Sequence, residues 1–95
     1  MTSFHGSVIQ CTVSDLRSIL GEPRYQGNNG KDKVNFDWVM ETESGDVFSV
    51  YDWKEYRTLD ENEVIEWHVG GRSGEVTNQA VNEMADGLNK LFSQF

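Results

Sequence analysis

The chain has 95 residues, with 16 acidic and eight basic side chains and a formal net charge of −8. A chain of this length forms one hydrophobic core, so residues 1–95 are predicted to be a single domain. The negative charge opposes direct binding to nucleic acid or to an anionic membrane surface, and no apolar run approaches the roughly 20 residues that span a bilayer. Residues 1–6 lack a basic and apolar leader pattern, which predicts a cytoplasmic protein.

Few side chains are available for metal or nucleophile chemistry. Cys11 is the one cysteine, so no intrachain disulfide can form, and we interpret it as a small buried thiol. His5 and His68 are too distant in sequence to form a zinc site with Cys11 by local spacing. The acidic segment 60–63 lacks the alternating ligands and central glycine of a calcium loop.

Three acids are candidates for a catalytic carboxylate pair, because neighbouring strands can bring two of them together. They are Asp37, Asp52 and Glu66. Two close carboxylates raise the pKa of one of them, which suits acid–base work. Solvated charges on an acidic sheet are the simpler interpretation, so we predict that the protein is not an enzyme and uses no metal or cofactor.

The first third of the chain predicts a strand and a short helix. Residues Ser3 to Cys11 favour a strand with a bulge at Gly6. Thr12 to Asp15 then resembles a capping box, and Gly21 with Pro23 ends the helix after about two turns. One helical face carries the apolar side chains Val13, Leu16, Ile19 and Leu20.

The middle third predicts a hairpin after a polar loop at residues 25–33. Apolar residues alternate with mostly polar ones over residues 34–41, as in a half-buried strand. Residues 43–45, Glu-Ser-Gly, fit a three-residue turn closed by a left-handed glycine. That turn pairs Met40 with Phe48, Trp38 with Val50 and Asp37 with Tyr51, and leaves Tyr51 and Trp53 on the outer face of the sheet.

The last third predicts a polar loop at residues 54–62, a strand at residues 63–69 and a helix capped by Ser73. The helix carries a wide apolar stripe: Val76, Ala80, Val81, Met84, Leu88, Leu91, Phe92 and Phe95. The order β-α-β-β-β-α predicts an α+β fold. In it, an antiparallel sheet of about four strands has both helices packed on one face.

The predicted outer face of the sheet is the first candidate binding site. It carries Tyr51 and Trp53, flanked by Glu66 and His68. Aromatic side chains that face water beside polar groups often mark an interface, since a ring supplies both area and a hydrogen bond. Alternatively, a loop or terminal segment covers this face and makes it a second small core.

The second candidate is the segment Gly70-Gly71-Arg72-Ser73-Gly74, where free N–H groups at a helix start and an arginine suit an anion or phosphate. It lacks P-loop spacing, and glycine-rich connections are common without a ligand. The third candidate is the segment 52–57, whose rings would stack on a base while Lys54, Arg57 or Arg72 contacts phosphate.

Several short motifs resemble a group of small tailed-bacteriophage accessory proteins. The motifs are Gly21-Glu22-Pro23, Trp38-Val39 with Glu41, Gly45-Asp46, Tyr51-Asp52-Trp53-Lys54 and Glu66-Trp67-His68-Val69-Gly70-Gly71. The similarity extends from Leu16 to about Val81. This chain differs in its Ser44-Gly45-Asp46 turn and in a shorter loop after Lys54. The resemblance implies a phage protein that acts in the host cytoplasm, and it assigns no activity.

Three functions remain open from the sequence. The first is a non-enzymatic binding protein that engages or inhibits a host protein through an acidic and aromatic sheet face, with nine acids between Glu41 and Glu66. The second is a protein that binds or sequesters a small phosphate-containing ligand such as a nucleotide or cyclic nucleotide. The third is a structural homo-oligomer that assembles through Tyr51, Trp53 and the last helix.

Overall fold

The computed structural model describes residues 3–29, 31 and 33–93. Within them the elements are β1 (Ser3–Cys11), α1 (Val13–Leu20), β2 (Tyr25–Gln26), β3 (Phe36–Glu41), β4 (Val47–Tyr51), β5 (Ile65–Gly71) and α2 (Gly74–Phe92). The strands form one antiparallel sheet in the order β1-β5-β4-β3-β2. The predicted α+β fold is confirmed, with five strands rather than about four.

Helix α1 begins and ends where local side chains satisfy its free backbone groups. The Thr12 hydroxyl accepts the Asp15 N–H at 3.0 Å, and the Asp15 carboxylate accepts the Thr12 N–H at 3.1 Å. The predicted capping box is therefore present. Gly21 ends the helix with a φ of 86°, and its N–H donates to the Arg17 carbonyl.

The β3–β4 hairpin has the predicted register. Gly45 has a φ of 83°, and its N–H donates to the Thr42 carbonyl at 2.9 Å. Thr42 and Asp46 close the turn, so three residues connect the strands. Met40 then pairs with Phe48, Trp38 with Val50 and Asp37 with Tyr51. This register decides which rings point toward the helices.

Both helices pack on one face of the sheet, and the core lies between them and the strands. The buried apolar residues of the strands include Ile9, Cys11, Phe36, Trp38, Phe48, Val50, Ile65, Trp67 and Val69. Helix α2 adds Val76, Ala80, Met84 and Leu88, as its apolar stripe predicts. Its last described helical residue is Phe92, and Phe95 lies outside the described residues.

Strand β5 ends later than predicted, because Gly70 and Gly71 continue it instead of breaking it. Gly71 pairs with Ser3 on one side and Phe48 on the other. A Cβ on Gly71 would lie 3.0 Å from Cγ1 of Val76 and 3.1 Å from Cγ2 of Thr77. Glycine at residue 71 therefore lets α2 start directly against the sheet.

The two polar loops also differ from prediction, because each contains a structured part. Tyr25 and Gln26 of the first loop form β2 on β3. Leu59 of the second loop is buried at 2% exposure, and its N–H and carbonyl both bond to the Asn28 side chain. Leu59 joins the core from a stretch whose polar composition predicts only a loop.

Candidate functional site: the uncovered face of the sheet

The face of the sheet opposite the helices, here called the open face, displays much of the apolar surface of the molecule. Strand pairing places exposed Phe4, Tyr25, Val39 and Val47 there, and ring contacts with Tyr51 and His68 place exposed Trp53 there. The exposed face of an antiparallel sheet is usually polar. An apolar open face is therefore the feature of the described chain that most needs a functional explanation.

Four rings on the open face form a contiguous group, here called the aromatic cluster. Its members are Phe4, Tyr51, Trp53 and His68. Phe4 stacks on His68 with 4.2 Å between ring centroids and 15° between planes. The Tyr51 centroid lies 5.5 Å from His68 and 6.1 Å from Trp53, and the Trp53 centroid lies 6.5 Å from His68. Each ring thus contacts at least one other.

The sheet register assembles this cluster from three chain segments. His68 on β5 pairs with Tyr51 on β4 and with Val8 on β1. The predicted bulge around Gly6 shifts the register between Phe4 and Val8, so Phe4 lies opposite Gly70. Since Gly70 has no side chain, the Phe4 ring can lie over the neighbouring His68.

Two lysines flank the exposed edge of the cluster. The Nζ atom of Lys33 lies 5.9 Å from the Trp53 ring centroid, and that of Lys54 lies 5.6 Å from it. The Lys54 N–H also donates to the Lys33 carbonyl at 2.8 Å, which holds the two segments together. Neither ammonium forms an ion pair with another residue that the structure describes.

A buried carboxylate fixes the chain just before Trp53. Asp52 is 0% exposed and accepts the Asn35 N–H at 2.8 Å, the Phe36 N–H at 2.9 Å and the Asn35 side-chain amide at 3.1 Å. That amide also donates to the Arg57 carbonyl at 2.9 Å. Asp52 therefore anchors the loop after β4 to the start of β3.

The backbone of this loop holds an uncommon conformation. Lys54 and Tyr56 have φ values of 56° and 50°, in the left-handed region that residues with a Cβ seldom adopt. Such strain costs of order 1 kcal/mol or more per residue, and it persists only where surrounding contacts enforce it. The Asp52 network supplies those contacts, so Trp53 lies between a buried anchor and a constrained turn.

The three candidate acids do not come together. Asp52 points to the covered face, while Asp37 and Glu66 lie on the open face with β4 between their strands. The Arg24 guanidinium binds Asp37 through two hydrogen bonds of 2.9 and 2.7 Å, and this contact raises the pKa of Arg24. Glu66 is exposed at the surface. This arrangement provides no carboxylate pair for acid–base chemistry.

The predicted anion contacts Arg57 and Arg72 are already bound to carboxylates. Arg57 donates to both oxygens of Glu63 at 2.8 Å, which lowers the pKa of Glu63, and it lies 3.7 Å from Glu55. Arg72 lies 2.9 Å from Asp46. A phosphate at either arginine would have to compete with an existing ion pair.

The glycine-rich segment 70–74 has a structural explanation. Gly70 lies on the open face beside Phe4, and Gly71 makes room for α2. Ser73 caps the helix by accepting the Val76 N–H at 3.3 Å. Six of the nine predicted binding residues belong to the open face or its edge: Tyr51, Trp53, Lys54, Glu66, His68 and Gly70.

The other three have structural roles, since Gly71 makes room for α2 and both Arg57 and Arg72 form ion pairs. Binding by all nine residues stays a prediction.

The acidic stretch between Glu41 and Glu66 is dispersed rather than gathered on one surface. One acid, Asp52, is buried. Four bind arginines: Asp46, Glu55, Glu61 and Glu63. The others are exposed: Glu41 and Glu43 lie on the β3–β4 hairpin, Asp60 in the loop before β5 and Glu66 on β5.

Two members of the site were missed by the sequence analysis. Phe4 precedes the bulge, so the simple two-residue alternation of β1 does not reveal its face. Lys33 lies at the end of a polar loop and reaches Trp53 through the contact between its own carbonyl and Lys54. Gly6, inside β1, was the one local signal of a bulge, and a bulge changes the face to which the preceding side chains point.

Two recesses lie elsewhere on the molecule. One, of about 260 Å³, lies between α1, α2 and the β3–β4 hairpin. The other, of about 430 Å³, lies between the β1 bulge and α2, and Gly6, Ser7 and Asn78 contribute to its walls. No ring of the aromatic cluster lines either recess. The aromatic cluster thus contributes to neither of these two concave sites.

No family model, curated protein or solved structure matches this chain. Among residues 3–29, 31 and 33–93, no three His, Cys, Asp or Glu side chains lie close enough to hold a metal ion. Neither helix of the described chain combines the length and apolar character needed to cross a bilayer. The geometry of the open face therefore carries the functional argument.

Proposed function

We propose that this chain is a non-enzymatic protein-binding module whose contact surface is the aromatic cluster on the open face. The observation that carries this proposal is the contiguous group formed by exposed Phe4 and Trp53 with half-buried Tyr51 and His68, on a sheet face that no described element covers. Aromatic residues are enriched at the centres of protein interfaces. They also dominate the binding energy there.

The shape of the surface favours a protein partner over a small molecule. Small-ligand sites are concave and bury most of the ligand, whereas these rings lie on a sheet face outside the two recesses. Burial raises the pKa of Tyr51, so its phenol stays protonated at neutral pH. The phenol is then a hydrogen-bond donor or acceptor for a partner backbone.

The site is also held in place before any partner arrives. The Asp52 network and the constrained backbone at Lys54 and Tyr56 fix the loop that carries Trp53. Ordered contact residues lose less conformational entropy on binding, which favours affinity. The strain in this loop is the kind that clusters at functional sites.

The partner we propose is a host protein, with the chain acting as a bacteriophage accessory protein in the host cytoplasm. Support comes from the resemblance of the motifs around Gly21, Trp38, Tyr51 and Trp67 to small tailed-phage proteins. Tyr51 and Trp53 of one motif and His68 of another lie on the open face. The proposed contact residues therefore fall in the region of resemblance.

Affinity capture from a bacterial host lysate tests this function. The tagged chain serves as bait beside a Trp53→Ala, His68→Ala double variant and beside Phe92→Ala. Phe92 is a matched control because it is an exposed ring at the end of α2, away from the sheet face. We expect a partner that the wild type and Phe92→Ala retain and that the double variant loses by tenfold or more.

Capture that is equal for all three baits would contradict the proposal. Light scattering of the free chain measures its oligomeric state and so tests the alternative that it is a homo-oligomer. A dimer that Trp53→Ala dissociates would assign the aromatic cluster to self-association instead. Circular dichroism of each variant verifies that loss of capture does not reflect unfolding.

The two lysines at Trp53 favour a second candidate, a planar phosphate-containing ligand such as a nucleotide. Its ring would stack on Trp53 while Lys33 and Lys54 contact the phosphate. Thermal-shift measurements with nucleotides and cyclic nucleotides test it. A rise in melting temperature that a Lys33→Gln, Lys54→Gln variant abolishes would favour this function. A flat response across the series removes it.

A further inference from the structure

The recess on the helix side of the molecule has a mixed apolar and acidic lining. It lies between α1, α2 and the β3–β4 hairpin and encloses about 260 Å³. Its apolar lining includes Ile19 and Leu20 from α1, Met40 and Phe48 from the hairpin, and Met84 from α2. We call it the methionine groove. Unbranched, polarizable methionine side chains adapt to the shape of an incoming group.

Two acidic residues border the same groove: Glu43, exposed in the hairpin turn, and Glu83 on α2. Glu41 also lines it, but Glu41 pairs with Val47, so its side chain belongs to the open face. The Glu83 carboxylate accepts the Glu43 N–H at 3.2 Å and the Gln79 amide at 2.9 Å, so its position is fixed. Within the described part of the chain, no basic side chain forms an ion pair with Glu43 or Glu83.

From this combination, we propose that the methionine groove binds a basic amphipathic segment of a partner protein. One large apolar side chain of the segment enters between Met40 and Met84. Lysine or arginine side chains beside it contact Glu43 and Glu83. The proposal concerns the side of the molecule opposite the aromatic cluster, so it stands independently of the function proposed for the open face.

The size of the groove fits a side chain rather than a whole ligand. At about 260 Å³ it lies below the roughly 300 Å³ at which small-molecule sites begin. A helix or strand that contributes a single anchor from its apolar face is the common way in which shallow grooves recognise peptides. Lysine and arginine suit the rim because their apolar stems extend along the walls while the charge reaches the carboxylates.

Charge decides among the other possible occupants. A second copy of this chain also carries a net charge of −8, so docking it would bring acidic surface against the acidic rim. An anionic membrane is repelled for the same reason. A basic partner gains from both the two local carboxylates and the overall field, and this field also speeds its association at low salt.

Methionine methyl NMR tests the proposal directly. The sequence holds three methionines, and Met40 and Met84 both line the groove. Methyl-¹³C-methionine protein is titrated with a designed amphipathic Leu/Lys peptide, and Met40→Leu and Met84→Leu assign the signals. We expect saturable shifts of both methyls that weaken with added salt. A matched Leu/Glu peptide should leave both unmoved.

Charge variants distinguish the groove from the net charge of the protein. Replacing Glu43 and Glu83 by glutamine should weaken the Leu/Lys peptide about fivefold, as expected for the loss of two partly exposed ion pairs. The control combines Asp60→Asn and Glu75→Gln, which changes the net charge equally at other exposed positions. It should weaken binding less than twofold.

Three results would overturn the proposal. They are unmoved Met40 and Met84 methyls, equal binding of a Leu/Ser peptide, and equal weakening by the two double variants. Thermal unfolding of both double variants verifies that the fold persists. Trp53→Ala should bind the Leu/Lys peptide like the wild type, so failure here and failure of the open-face function are separate observations.

Discussion

Two aromatic groups of similar size lie on opposite faces of the same sheet. On the covered face, the Trp38 and Trp67 centroids are 5.6 Å apart at 82°, and Phe36 lies 6.2 and 6.5 Å from them. All three rings are almost completely buried. On the open face, the aromatic cluster has similar ring spacings, but Trp53 is 41% exposed and Phe4 44%.

The polar atoms of the two groups differ as much as their burial. The Trp38 indole N–H donates to the Gly21 carbonyl at 2.8 Å, and that of Trp67 donates to the Cys11 carbonyl at 2.9 Å. Each buried tryptophan thus ties the sheet to the chain near one end of α1. On the open face, the Trp53 ring instead lies beside the ammonium groups of Lys33 and Lys54. The comparison indicates that the covered rings hold the fold, whereas the open rings are available for contact.

The largest expected contrast is between Trp67→Ala and Trp53→Ala. Removing the buried Trp67 ring leaves a cavity and an unpaired carbonyl, so we expect the free energy of unfolding to fall by about 3–5 kcal/mol. Trp53→Ala should cost about 1 kcal/mol or less, because its ring is partly exposed. Urea unfolding followed by circular dichroism measures both. Similar losses would show that the open face also forms a core.

A second contrast uses two acids at opposite ends of the burial scale. Asp52→Ala leaves the N–H groups of Asn35 and Phe36 without their acceptor, and we expect a loss of about 3 kcal/mol. Glu66→Ala, at the exposed surface, should change stability by about 0.5 kcal/mol or less. The same urea experiment measures both. A small effect of Asp52→Ala would mean that water replaces the carboxylate.

The third contrast concerns access of solutes to the tryptophans. Trp53 is the exposed one of the three, and Lys33 and Lys54 lie over its ring. We expect iodide to quench a minor component of the fluorescence that Trp53→Phe removes. Lys33→Gln with Lys54→Gln should reduce quenching by iodide about twofold while quenching by neutral acrylamide is unchanged. Equal sensitivity to both quenchers would exclude a local positive field.

Much of the fold follows from short-range signals in the sequence. The three-residue turn fixes the hairpin register, and with it the separation of Trp38 from Tyr51, because a slip of one residue would exchange the faces. The capping box at Thr12 and the serine cap at Ser73 mark both helix starts. In these places, local geometry and the tertiary structure agree.

The remaining features depend on contacts between residues distant in sequence. The sequence predicts that Gly71 lies beyond the end of the strand, but Gly71 belongs to β5. Its lack of a side chain leaves room for the close approach of α2. Phe4 and Lys33 join the aromatic cluster only through the bulge in β1 and the contact of Lys33 with Lys54. The carboxylate partners of Arg57 and Arg72 likewise appear only in three dimensions, and an anion at either arginine would compete with them.

The smallest expected effect is a pH dependence of stability that tests whether solvent reaches Cys11 on the covered face. Burial, with a lesser contribution from the Asp15 charge, raises the pKa of the Cys11 thiol from 9.0 to about 12. The native fold therefore favours the protonated thiol. This stabilisation is complete below pH 9 and is lost as the pH rises toward 12. Urea unfolding between pH 8 and 10.5 should show a steeper decline for the wild type than for Cys11→Ala, which has no titrating thiol. Parallel declines would mean that solvent reaches Cys11 and that the covered face opens beside Trp67.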